Sequence, residues 1–373
     1  MCIRAERLRT SDGRTVHVNE TSASWHVSPS VDLTAYAFSW ALVLVPLTLL
    51  ADRTAQIALL LLVVGLTFAH RHYTLPYVYL DRQTFEMYPA RFTWFPLVML
   101  VGFTLSPLLW TTSARIVVAA VVFFAGAWNV WHVYMQKYGI LRLYAAKERS
   151  GTGHPRWVDR FLLFSWVPLY LVWLGPSYRD EIATSFPTVE SLALPLVDAM
   201  ARLGPPLVVP AAAVVAASLV FFTAYEWRAS RFRNRARLGM ALGTSGLSAS
   251  FLLFNPVHVF MAFAFSHAVE YMVFVWAFQK KRYEEPLAHR PMLGEVLRRP
   301  WLAYLGFTLG ITVPYLLARF YGYLLFPSAT NPIVLGTTIE RWAFYWSVYQ
   351  SLVHFYFDGF LWKMRRPATI EHL

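Results

Sequence analysis

The sequence predicts an all-α fold: a polytopic integral-membrane helical bundle of about ten transmembrane helices. Three observations carry that prediction. Of the 373 residues, 57% are hydrophobic and only 14% charged, with a mean hydropathy of +0.42, whereas an ordinary soluble domain is about 45–50% apolar and about 25% charged. The apolar residues come in blocks of about 20, each able to cross a hydrocarbon core as a helix. Strand-like alternation is absent, and the runs are too long for barrel strands. A soluble globular enzyme, a disordered chain and a disulfide scaffold are excluded, and the single cysteine, Cys2, permits no internal disulfide. The 22 prolines and 18 glycines do not argue against helices, because membrane helices tolerate both.

Taken in order, residues 1–30 hold no apolar signal-peptide core and read as a cytoplasmic tail. Residues 31–366 form one transmembrane domain, and 367–373 a short C-terminal tail. Apolar segments fall near 32–51, 54–74, 92–111, 113–136, 160–176, 204–226, 238–254, 257–279, 301–323 and 341–363. The fourth continues as Lys137–Tyr144, with the pattern of an interfacial amphipathic helix. Gly204-Pro205-Pro206 opens the sixth. Gly239 and Gly243 in the seventh make a small-xxx-small helix contact. Asn255-Pro256 leaves room only for a tight turn before the eighth.

Charge sets the expected orientation. On this map 27 of the 33 Lys and Arg residues fall on one side and six on the other, which places both termini in the cytoplasm. The same asymmetry absorbs the basic run Arg228, Arg231, Arg233, Arg235 and Arg237. The net charge of +12 therefore does not point to nucleic acid, though the basic loops suit a contact with anionic lipid. The sequon Asn19-Glu20-Thr21 would lie in the cytoplasm and reads as chance.

Ionisable residues inside a membrane are costly and are functional candidates by default. At about 1.5 Å per residue, His70, His132, His267 and His354 all fall in the cytoplasmic half, at similar depth, on four different helices. Residues three or four apart share a helix face. Asn129, His132 and Gln136 line one face; His267 and Glu270 another; Gln350, His354 and Asp358 a third. The pattern reads as a shared metal or cofactor site, with ligands drawn from His70, His72, His132, His267, Glu270, His354 and Asp358. His72 points away from His70 unless the helix ends there. Imidazole plus carboxylate suits iron, zinc or manganese. Gln136 and Asn129 are placed to hydrogen-bond a ligand or bound oxygen. The bland alternative is polar groups that glue helices together.

His258, near the outer face and half a turn round from His267, is left out. His17, His26, His154, His289 and His372 fall in loops or tails and read as solvated. Phe355-Tyr356-Phe357 and Tyr271–Phe274 flank the site and could line a lipid or isoprenoid pocket. No P-loop, GxSxG, CxxC, HExxH or GxGxxG is present.

With intramembrane histidines on separate helices, the chain resembles the broad class of polytopic, histidine-rich, non-haem iron enzymes that act on lipids, and in architecture the Brp/Blh type of carotenoid-cleaving oxygenase. That resemblance implies one iron held by His70, His132, His267 and His354; apart from it, several helices each giving a ligand is also how di-iron carboxylate sites are built, although the paired Glu-x-x-His motif is missing. The chain departs from the Brp/Blh type in carrying Glu270 and Asp358 and no paired His-x-x-x-His. The leading expectation is an integral-membrane, iron-dependent oxidoreductase or oxygenase acting on a hydrophobic lipid or isoprenoid substrate. A haem protein, a transporter or proton relay, and a single-histidine acyltransferase stay open beside it.

Overall fold

The structure, a computed structural model, describes residues 6–9, 15–18, 24–110, 113–148, 154–177, 179–180, 190–283, 299–321 and 332–362. Cys2, the sequon, His289, His372 and the tail 367–373 lie outside them. The described chain is overwhelmingly helical. Two small antiparallel hairpins depart from the all-helical expectation: β1 (Glu6–Arg9) with β2 (Thr15–Val18), and β3 (Ile333–Val334) with β4 (Thr337–Thr338). The second turns at Leu335-Gly336, both with positive φ, the geometry that suits a two-residue hairpin loop.

After a helical turn at Pro29–Val31 and a π-helical turn at Asp32–Ala37 come α1 (Ala41–Leu49), α2 (Arg53–His70), α3 (Thr74–Tyr79), α4 (Arg82–Glu86) and α5 (Pro89–Trp110). The middle of the chain holds α6 (Arg115–Lys147), α7 (Arg156–Phe164), α8 (Trp166–Ser177), α9 (Glu190–Ser230) and α10 (Arg235–Ser250). Then follow α11 (Pro256–Arg282), α12 (Pro300–Phe307), a second π-helical turn at Thr308–Thr312, α13 (Val313–Arg319) and α14 (Ile339–Leu361). Among the described residues, all ten apolar segments are largely helical. The Asn255-Pro256 turn and the extension of α6 past Lys137 both fall where expected. Gly204-Pro205-Pro206 opens no helix, because α9 runs straight through it.

Ten spans are not confirmed. Among the described residues, five helices are long and apolar enough to cross a membrane: Arg53–Tyr79, Pro89–Trp110, Arg115–Lys147, Leu194–Ser230 and Pro256–Arg282. A sixth is added if Pro29–Ala37 and Ala41–Leu49, bent by 56°, count as one span. The other segments fall short for separate reasons. The fifth is split at Ser165 into α7 and α8, and the ninth is interrupted by a π-turn. The seventh is a 16-residue helix rich in Gly and Ser, about 24 Å long. The tenth, α14, mixes its apolar residues with Glu340, Arg341, Gln350, His354 and Asp358.

The chain divides into two compact units: Met1–Thr48, Tyr134–Tyr178 and Val197–Ser266 in the first; Leu49–Val133, Arg179–Leu196 and His267–Leu373 in the second. In the first, Trp166, Leu169 and Val172 of α8 pack on Ala211 and Val215 of α9. The π-turn lies against α10, and a Cβ at Gly243 would overlap the Ala37 carbonyl. That is the close approach a small-xxx-small stripe permits. Asp32 anchors the same turn, accepting hydrogen bonds from the Val27 amide and the Tyr144 hydroxyl, each 3.0 Å away.

The first unit also buries a charge network. Arg237, on α10, donates to Asp159 and Glu226 and, at 3.0 Å, to the Leu141 carbonyl. Arg142 donates to Asp159 at 3.1 Å and to the His154 carbonyl at 2.7 Å. His154 bridges Glu148 at 2.6 Å and Glu226 at 3.1 Å. Two expectations are corrected here. Arg237 is a buried hub, not part of a solvated basic run, and His154 is buried and paired. His26 is corrected likewise: it is buried, 2.8 Å from the Tyr36 hydroxyl. Between α9 and α10 the chain turns through Arg231 and Phe232, both with positive φ, a conformation costing about 1–2 kcal/mol per non-glycine residue. Asn234 caps α10 directly after it.

In the second unit α14 runs along α5. Val353, Phe357 and Leu361 pack with Tyr77, Phe92 and Phe278, while Tyr345, Tyr349 and Leu352 pack with Val118 and Ala125. Ring stacks Phe68–Tyr315, Tyr73–Tyr304 and Phe95–Tyr356 lock the helices at centroid distances of 3.7, 3.7 and 3.8 Å.

Candidate metal centre

His70, His132, His267 and His354 meet within the second unit. His70 is the last residue of α2; the chain then turns through Arg71-His72-Tyr73 into α3. Arg71 holds that turn against α14 by donating to the Ser347 carbonyl and hydroxyl at 2.9 and 2.7 Å. His132 and His267 sit on α6 and α11, and His354 and Asp358 lie one turn apart on α14. All four histidines are buried, the most exposed being His132 at 8%.

Their rings form a closed circuit. Centroids are 4.8 Å apart for His70–His267, 4.9 Å for His267–His132, 5.0 Å for His132–His354 and 4.9 Å for His354–His70. His267 and His354, opposite corners, are 6.2 Å apart. Neighbouring planes are steeply inclined, by 72–88°. A ring nitrogen bonds a metal at about 2.0–2.1 Å, which puts the ion roughly 3.2 Å from the ring centroid. Four imidazoles on one ion then have neighbouring centroids about 4.5–5.2 Å apart and opposite ones up to about 6.4 Å. The observed circuit has those dimensions.

Two ligand sets are drawn together, His70 with His267 and His354, and His132 with His354 and Asp358, their donor atoms within 4.8 Å of one another. His354 belongs to both. Among the described residues, both ring nitrogens of His70 and of His354, and Nε2 of His132, have no hydrogen-bond partner. An unsatisfied buried polar atom is costly, and a neutral imidazole nitrogen is a metal-ligand lone pair. These buried His and Asp groups could therefore hold a metal ion. The donors are nitrogen and oxygen without thiolate, which suits iron, zinc or manganese.

Asp358 is held from outside the circuit. Its Oδ1 accepts from the Tyr271 hydroxyl at 2.8 Å and from the Trp362 indole at 3.1 Å. Its Oδ2 is left 3.6 Å from Nε2 of both His132 and His354. Tyr271 also packs edge-on to His354, at 4.9 Å. Such outer hydrogen bonds orient metal ligands. The sequence singled out Tyr271 only as a residue that could line a pocket, and Trp362 was not separable from an aromatic background of 17%. The one available signal was position: Tyr271 follows His267 by one turn, as Trp362 follows Asp358.

The remaining candidates stand apart from these sets. His72 turns its Nδ1 to the Phe68 carbonyl, 3.1 Å away, although the helix ends at His70. Glu270 is fully buried, one turn beyond His267, and joins neither set. Asn129 is half-buried one turn before His132, and Gln136 falls in the first unit. His258, half-buried near the start of α11, belongs to the first unit and to neither set. No known protein family, curated protein or solved structure matches the chain.

Proposed function

We propose that the chain is an integral-membrane, iron-dependent oxidoreductase that acts on a hydrophobic lipid or isoprenoid substrate. The observation that carries this reading is the circuit of four buried imidazoles with the spacing of ligands to one ion. His70, His132, His267 and His354 would hold the metal, and Asp358, aimed by Tyr271 and Trp362, would bind it or accept a proton from a bound group. Iron held there would supply redox chemistry with oxygen. The apolar packing of α5, α6 and α14 keeps bulk water from the site and favours a substrate delivered from the bilayer.

The same spacing counts against haem. Two axial imidazoles need a clear plane between them for the porphyrin. His267 and His354 are far enough apart to be an axial pair, but His70 and His132 stand within 5.0 Å of both or either and fill that plane. Detergent-purified protein should contain near-stoichiometric iron by elemental analysis and lack a Soret band. Absence of any stoichiometric metal would overturn the proposal.

We also read both termini as cytoplasmic, from the distribution of Lys and Arg. Reporter fusions after residues 150, 235 and 290 should all report the cytoplasm, and an external signal from any one would overturn that orientation.

A further inference from the structure

A cavity of about 370 Å³ lies wholly within the second unit, between α5, α6 and α14. Its volume is in the range of small-molecule sites, about 300–1,000 Å³. Its walls are Val, Leu, Met and aromatic side chains, with one polar pair, Ser106 and Tyr349. That pair is satisfied internally. The two hydroxyls are 2.6 Å apart, and Ser106 donates to the Gly102 carbonyl at 2.8 Å. A water there would lack the two to four polar partners it needs, so the lining selects hydrocarbon.

Three features define the occupant further. Val98, Leu105, Val117 and Phe124 line the cavity and are also exposed on the apolar outer surface, so a chain can enter sideways from a bilayer. The α6 wall runs Val117, Val121, Phe124, Trp128, and the next turn of the same stripe is His132. Between cavity and imidazole stands Phe355, with its ring 5.9 Å from Trp128 and 4.6 Å from His132. The cavity thus ends at Trp128, with Phe355 between it and His132; its own polar pair, Ser106 and Tyr349, is already satisfied. At about the 30 Å³ of a water-sized group, it takes a chain of roughly a dozen carbons.

We propose that this cavity is the substrate-chain site: a single hydrocarbon chain lies between α5, α6 and α14, its functional-group end at Trp128 and Phe355 beside His132, its far end toward Leu109 and Val118. The inference rests on the metal-centre reading for its direction. The occupant is the substrate's own chain rather than the acyl chain of a bulk phospholipid.

The test uses the full-length protein in detergent and dodecanol carrying a diazirine, placed either beside the hydroxyl or at the terminal carbon. After photolysis and peptide mapping, the first probe should label Trp128, Leu352 or Phe355, and the second Leu109, Val117 or Val118. Excess unlabelled dodecanol should cut both signals about tenfold, as for a saturable site. Val121→Trp, whose ring blocks the middle of the cavity, should cut them as far. If that variant does not fold, Val98→Trp at the exposed rim gives the same reading. Labelling that spreads over the outward-facing Trp94 and Leu97 without competition, a reversed order of the two ends, or full labelling of a folded blocked variant would each overturn the proposal. Metal content is read on the same sample. Bound metal with diffuse labelling removes only the cavity inference, and ordered labelling without metal removes only the metal centre.

Discussion

Histidine is buried in both compact units, under opposite conditions. In the first, His154 sits between Glu148 and Glu226, and the Arg237 beside it is matched by Asp159 and Glu226. In that network the carboxylates match the cations. In the second, four imidazoles face one another, and the nitrogens of His70 and His354 reach no hydrogen-bond partner among the described residues. One arrangement sets buried charge against opposite charge, and the other draws neutral donor atoms of His70, His267 and His354 within 4.8 Å of one another. What marks a candidate site is therefore not burial of polar groups but which groups they face.

The comparison can be broken most sharply with one substitution in each unit. His354→Ala removes the residue common to both ligand sets, so bound metal should fall nearly to zero while the melting temperature changes little. Arg237→Met leaves buried carboxylates without their cation, a loss of about 3–5 kcal/mol for breaking a buried network. It should lower the melting temperature sharply yet leave metal per folded chain unchanged. Elemental analysis and thermal unfolding in detergent read both, and interchange of the two outcomes would erase the distinction.

A smaller effect sharpens the account of Asp358. If Asp358 is a direct ligand, Asp358→Asn should lower metal content outright, since a neutral amide is a poorer ligand for a divalent cation. Tyr271→Phe removes only the aiming hydrogen bond, so iron affinity should weaken by about 10–100-fold without vanishing. Competition with a chelator of known affinity measures both. An unchanged affinity in Tyr271→Phe would show that the hydroxyl does not aim the carboxylate. His258→Ala, outside the circuit, should change neither metal nor stability.

The smallest effect belongs to the charge network. Burial and nearby Arg237 disfavour the charged form of His154, but hydrogen bonds to Glu226 and Glu148 outweigh them and lift its pKa above the ordinary 6.5. A raised folded pKa gives stability that is fully present below the unfolded value and is lost as pH rises through the folded one. The melting temperature should therefore decline by a few degrees as the medium passes from mildly acidic to alkaline. His154→Gln, which cannot charge, should flatten that part of the profile.

The helices and the four histidines were legible in the sequence for one reason: each is a local contrast. An imidazole stands out in an apolar run, and spacing of three or four residues sets Asp358 beside His354. Asn255-Pro256 and Gly239–Gly243 were legible in the same way. What was hidden depends on partners distant in the chain. Arg237 looks solvated until Asp159 and Glu226 are brought to it, and His154 looks like a loop residue until α9 covers it. Tyr271 and Trp362 matter only through a carboxylate on another helix or a turn away. Ten spans are not confirmed, because a break at Ser165 or a π-turn at Thr308–Thr312 is a backbone event that hydropathy does not report.

The seat of the π-turn on Gly243 also has a consequence in time. Ala37 and Gly243 are separated by roughly two hundred residues, and at about 5–20 residues per second the ribosome needs on the order of 10–40 seconds to make them. Throughout that interval the bent segment Pro29–Leu49 exists without the surface it will rest on. Biogenesis of this chain therefore includes a wait in which that apolar segment lacks its partner, and α10 ends the wait only if position 243 carries no side chain.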